Sequence, residues 1–155
     1  MSSGKAHAIA TVVTGGVAAP LLVAAGQPVT SALALAGGCL LGLVFNSDLD
    51  VRRRDTHSDT IMRHSVGRTI WWIWNLLWQP YAYLIPHHRH PLSHFPLLGT
   101  VLRVIYALSL PGLAWFLLGR VVPLPPVWPL PGPVWWALGG LVLVDSLHAV
   151  MDRWF

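Results

Sequence analysis

The stretch HHRHPLSH, residues 87–94, sets four histidines, an arginine and a serine into eight positions just ahead of a long apolar run. His88 and His94 stand six apart with Pro91 between them, which suits a turn aiming two imidazoles into one pocket. Such tracts often bind metal; a solvated or pH-sensitive loop, or an imidazole against a lipid phosphate, would use the same residues. His87 and His90 are read as facing solvent or as donors behind the ligands. In NSDLD, residues 46–50, Asp48 and Asp50 fall at i and i+2 where an apolar segment ends. Two such acids reach one cation or bracket two. A helix C-cap leading into a solvated loop is the alternative, but an acid at a helix C-terminus opposes the dipole and needs a positive partner. Neighbouring arginines offer one; a metal ion is the favoured reading. DSLHAVMD, residues 145–152, places Asp145, His148 and Asp152 at i, i+3 and i+7, on one face of a helix. Ionisable groups inside an apolar segment are functional candidates, the competing use being a salt-bridge stripe to Arg103 or Arg153.

The elements that must position these groups are apolar. Of the 155 residues 54% are hydrophobic and 10% charged, against about 25% charged in an average soluble domain. Mean hydropathy is +0.57, and every acid is an Asp, with no Glu to solvate helix surfaces. Four stretches, 8–25, 29–45, 97–119 and 134–151, approach the roughly 17–25 apolar residues that span a bilayer as helix. The third contains Arg103 and an expected kink at Pro111. The first two are rich in Gly and Ala and are expected to pack together closely. A secretory leader starting at Lys5 is the alternative for the first, but its cleavage pattern is weak. Residues 46–68 read as a polar loop with one helical turn, leaving His57 and His64 solvated. Residues 69–86 hold four Trp and two Tyr interrupted by Asn75, Gln79 and Pro80, the pattern of an interfacial or re-entrant helix. The Pro-rich 121–133 reads as a stiff loop. The expected fold is therefore all-α: a single domain over 1–155, an integral membrane bundle of about four transmembrane helices plus a Trp-rich interfacial helix.

Counting sides then places the chemistry. With four crossings, His7, Asp48, Asp50, His88, His94, His148 and Asp152 all fall on the side of the N-terminus. If 69–86 spanned instead, His88 and His94 would land opposite Asp48 and Asp50. Lys5, Arg52, Arg53, Arg54, Arg63, Arg68, Arg89 and Arg153 share that side, against Arg120 on the other. The positive-inside rule makes that side cytoplasmic, with both termini there.

Those seven groups are the candidate ligands. Mixed imidazole and carboxylate donors suit Zn best, with Mn or Fe as alternatives, rather than Ca or Mg. Seven exceeds the tetrahedral complement of one zinc, so two ions fit the count. Such sites activate water and stabilise displacement at phosphorus. Asp48 or Asp152 is then the candidate general base and Arg89 the group that neutralises phosphate. The expected partners are the bilayer and a phosphoester or phospholipid substrate. The alternative is a non-catalytic metal-binding or metal-sensing centre. Transport fits less well, because the first two spans carry almost no polar groups. No nucleic-acid motif is present, and the net charge of +4 is better used against anionic lipid. The lone Cys39 forms no intramolecular disulfide and is read as packing.

The series SGKAHA, DLD, the Trp-rich stretch, HRHPLSHFPLLGTVLRVIY and HAVMD resembles an uncharacterised bacterial family of small membrane proteins named for metal binding. The likeness runs over about residues 2–155 and is weakest in 121–140. A more distant likeness is to inner-membrane metal-dependent hydrolases with a similar His, DxD, HR…HS and HxxxD series. That group is similar in turn to zinc-dependent phospholipase C and P1-type nucleases. The resemblance implies His7, Asp48, Asp50, His88, His94, His148 and Asp152 as ligands, and Arg89 and Ser93 as groups behind them or on a substrate phosphate. His90 and Asn46-Ser47 depart from the family's pattern around these turns.

Overall fold

The computed structural model describes residues 4–51, 56–87, 90–122 and 130–154. Among them the structure is helical without strands: α1 (Gly4–Ala24), α2 (Val29–Leu41), a 3₁₀ turn (Ser47–Asp50), α3 (His57–Leu84), the one-turn α4 (Pro91–His94), α5 (Pro96–Leu118) and α6 (Gly132–Trp154). Three of these, α1, α5 and α6, are long and apolar enough to cross a membrane. Only 6% of the apolar window of α5 is buried inside the protein, so most of its hydrophobic surface faces outward.

The second expected span is shorter than the sequence suggested. α2 is helical over 13 residues, about 20 Å, and the chain then continues through turns and the 3₁₀ segment. This still returns it to the level of His7. A Schellman motif reverses the chain after α1: Gly26, at φ 82°, donates to Val23 O at 2.9 Å and Gln27 to Leu22 O at 3.1 Å. α2 packs between α1 and α6. At the α2–α6 crossing, a side chain on Gly38 would strike the Ala137 backbone and one on Gly140 the Leu35 carbonyl. Cys39 is wholly buried there, its thiol donating to Gly140 O at 3.6 Å. The expected packing of α1 on α2 is present through Gly15, which lies against Cys39 and Ala36; the tightest approach is α2 on α6.

The polar stretch 46–68 is more helical than expected. Thr56 and Asp59 form a capping box that starts α3, giving two orphan N–H groups reciprocal acceptors. α3 is broken at Gly67 (φ 85°, ψ 166°) into arms 57–66 and 68–84. The arms fold back on each other, because the Asp59 carboxylate accepts from Trp71 Nε1 at 3.3 Å. In a straight helix those residues would lie about 18 Å apart. The second arm meets the bundle through large aromatics. Trp78, Tyr81 and Ile85 form a core with Phe45, Leu49 and Leu141, flanked by Trp74 and Tyr106. Burial pushes the Tyr81 phenol up to about 12, so it stays neutral. α5 runs unbroken through Pro111. The Pro-rich segment lies mostly outside the described residues.

Candidate metal centre

Four local devices bring the polar groups to one end of the bundle. His7 stands one turn into α1. Asp48 and Asp50 lie on the 3₁₀ turn, which Asn46 caps by accepting from Asp48 N at 3.0 Å while donating to Ser58 Oγ at 2.7 Å. His94 ends α4, where His90 Nδ1 accepts from Leu92 N at 3.2 Å and Pro91 occupies the first turn. His148 and Asp152 occupy the last turns of α6.

There the side chains close on one another. His7 Nε2 is 3.3 Å from Asp152 Oδ1, and His148 Nε2 is 3.3 Å from Asp152 Oδ2. The same His148 nitrogen is 3.9 Å from Asp48 Oδ1, and His94 Nε2 is 4.0 Å from Asp152 Oδ2. Two triads, His7–His148–Asp152 and Asp48–His94–His148, have potential ligand atoms within 4.8 Å of one another.

These separations fit donors around a cation. Two atoms each about 2.1 Å from an ion lie about 3.4 Å apart at the tetrahedral angle and about 4.2 Å apart on opposite sides. The distances of 3.3 to 4.0 Å fall at or near that range. They also exceed the roughly 2.7–3.2 Å of a good direct N–H···O bond. Both triads use His148, whose Nε2 faces Asp48 and Asp152 alike. An imidazole nitrogen offers one lone pair, so the overlap describes one ion more economically than two.

Behind these donors sits Asp50, which belongs to neither triad. Its buried Oδ2 accepts from Ser93 Oγ at 2.5 Å and lies 3.5 Å from His94 Nδ1. Ser93 Oγ is also 2.9 Å from His94 Nδ1. With the serine proton given to Asp50, the serine oxygen accepts from His94 Nδ1–H, and the His94 Nε2 lone pair is turned to the centre. Asp145, the first acid of DSLHAVMD, does not join the donors: it pairs with the buried Arg103 on α5. His88 and Arg89 lie outside the described residues.

Beside the centre a small cavity of about 20 Å³, room for a water molecule, is lined by Gly4, Thr11, Asn46, His57 and Ser58 together with His7, Asp48 and His148. His57, expected to be solvated, lies in this wall, whereas His64 is exposed. The Thr56 capping box could have placed His57 at the start of a helix; its approach to Gly4 is a non-local contact with no sequence signal. Asp48 is the most open of the candidate donors, its side chain 22% exposed.

Residues 2–128 match the family described as uncharacterized metal-binding protein, DUF2227, and the chain belongs to that family. The match includes His7, Asp48, Asp50 and His94 and stops before α6, where His148 and Asp152 lie. Neither a curated protein nor a solved structure matches the chain.

Proposed function

We propose that this member of a metal-binding family holds one divalent ion, zinc by preference, through His7, Asp48, His94, His148 and Asp152, and uses it to hydrolyse a phosphoester. The observation that carries the reading is the sharing of His148 between two triads. It draws α1, the 3₁₀ turn, α4 and α6 onto one point. Imidazole and carboxylate donors favour zinc or a neighbouring transition ion over calcium or magnesium. Asp50 acts through Ser93 to hold His94 in its ligating tautomer. Arg89 follows His88 in the sequence and is the group proposed to meet a substrate phosphate.

A zinc ion bound there supplies Lewis acidity and brings a coordinated water toward neutral pKa. Asp48, at the wall of the pocket and the most exposed donor, is placed to take a proton from water entering it. Asp152, each of whose oxygens lies 3.3 Å from one of the two imidazole Nε2 atoms, would share the ion with His7 and His148. One observation favours a second reading, a non-catalytic centre: five donors are enough to saturate zinc and leave no open position.

In the membrane, α1, α5 and α6 serve as spans and α2 returns the chain between them. Lys5 and Arg153 flank the end that carries the centre, and Arg120 marks the opposite end, which orients the centre to the cytoplasm of a bacterial cell. A phosphoester at that surface is a phospholipid headgroup or a soluble ester.

The test is hydrolysis by detergent-purified protein loaded with zinc, offered bis-p-nitrophenyl phosphate or phospholipid in mixed micelles. The expected result is zinc-dependent turnover of one of them that is lost in His148→Ala and reduced in Asp48→Asn. Full zinc occupancy without turnover of either would leave the non-catalytic reading in its place.

A further inference from the structure

The string Ser93-His94, Gly99-Thr100, Arg103 and Tyr106 stands out in the sequence, yet only His94 enters the donor set. The other residues share a task at the contact of α4, α5 and α6. Arg103, about two turns into α5, is 0% exposed. Its Nη1 donates to the Ser93 carbonyl at 3.0 Å, and its Nη2 pairs with Asp145 Oδ2 on α6. The Thr100 hydroxyl sits between the Pro96 carbonyl, 2.7 Å away, and that same Asp145 oxygen. Gly99 lies where any side chain would strike the Ser93 carbonyl, which lets the α4 turn settle directly onto α5. Tyr106 donates to Leu77 O at 2.5 Å and ties the second arm of α3 to the same helix.

Ser93 and Asp145, the two groups that the Arg103 fork holds, each adjoin a donor to the centre. Ser93 immediately precedes His94. Asp145 lies three residues before His148 and seven before Asp152, on one face of α6. A guanidinium is a rigid planar fork. Holding a carbonyl of one element and a carboxylate of another, it fixes their separation in a way that a single ammonium does not.

We propose that Arg103 and Asp145 are positioning residues that clamp the α4 turn to α6 and thereby set the geometry of a metal centre that Arg103 does not touch. This inference rests on the ligand assignment above. A merely stabilising pair behaves differently: a buried ion pair replaced by apolar residues of similar volume often keeps or gains stability. Losing the fork then leaves the fold and changes the centre.

The experiment uses cobalt(II) as the probe, since its visible absorption reports ligand number and symmetry, with thermal melting in detergent measured beside it. The double variant Arg103→Met/Asp145→Leu is expected to melt near wild type, to bind cobalt at least about 10-fold more weakly, as loss of outer support does at other metal sites, and to show an altered spectrum. Arg103→Lys, which keeps the charge, is expected to leave the spectrum altered. A folded double variant with wild-type affinity and spectrum would overturn the clamp. Should the double variant fail to fold, Arg103→Lys and Thr100→Val decide, and wild-type cobalt spectra in both would overturn it. The underlying ligand assignment fails separately. Wild-type protein that binds no cobalt, or His148→Ala that binds it normally, removes the centre. Binding lost in His148→Ala but normal in the folded clamp variants removes only the clamp.

Discussion

The imidazoles of His7 and His148 stack with ring centroids 3.9 Å apart and planes 17° from parallel. The stack turns both Nε2 atoms to one carboxylate, each 3.3 Å from a different oxygen of Asp152. The first turns of α1 and the last turns of α6 thus meet through side chains that are also candidate metal donors. His7→Ala should weaken zinc binding by more than the 10–100-fold or so typical of changes behind a ligand. Isothermal titration with zinc on detergent-purified protein measures this. Unchanged affinity would remove His7 from the donor set.

Asp48 and Asp50 are two residues apart and have different surroundings. Asp48 faces His148 across 3.9 Å, whereas Asp50 accepts from Ser93 and faces the far nitrogen of His94. Asp50→Asn should keep about one zinc per chain with affinity lowered about 10–100-fold. Asp48→Ala removes a donor and should change the cobalt(II) spectrum as well. Equal effects on affinity and spectrum would show that the two acids do the same work.

The α2–α6 crossing depends on missing side chains at specific positions. Gly38 faces the Ala137 backbone, while nothing lies within 4 Å of a side chain placed on its neighbour Gly37. Gly38→Ala should destabilise by about 1–3 kcal/mol or more, since two backbones must part. Gly37→Ala should be neutral or stabilising by up to about 1 kcal/mol from helix propensity. Thermal melts of the two variants in one detergent check the contrast, and equal shifts would contradict the close approach.

Much of the arrangement was legible because it follows from local rules. Apolar length marked α1, α5 and α6, and the spacing of His148 and Asp152 fixed their shared face whatever they touched. Counting crossings brought His7, Asp48, His94 and α6 to one end, although α2 is helical for only 13 residues. What stayed hidden is either short or non-local. The first arm of α3 is ten residues of mixed polarity whose clearest mark is the Thr56 capping box, and the reversal depends on one positive φ at Gly67. Asp145 carried the same signal as its neighbours on α6, and the salt-bridge alternative to Arg103 was open from the start. A partner 42 residues away in sequence decides between those uses, and no periodicity encodes it. The separate position of Asp50 depends likewise on Ser93, 43 residues on.

Metal binding that joins α1 to α6 should be visible in stability. A ligand at about 100 times its Kd adds about 2.7 kcal/mol to a fold that alone binds it. Chelation of purified protein should therefore lower the melting temperature, and zinc should restore it. His148→Ala should melt at one temperature with or without chelator. A wild type indifferent to chelation, after its metal content is shown to fall, would contradict a centre coupled to the bundle.

The most direct measurement is the number of transition-metal ions per chain in detergent-purified wild type, His148→Ala and Asp152→Ala, by elemental mass spectrometry against protein concentration. About one ion in wild type and almost none in either variant is the predicted result, because both α6 residues face the same point. A full wild-type complement in both variants, or two ions per wild-type chain, would contradict a single centre built on His148.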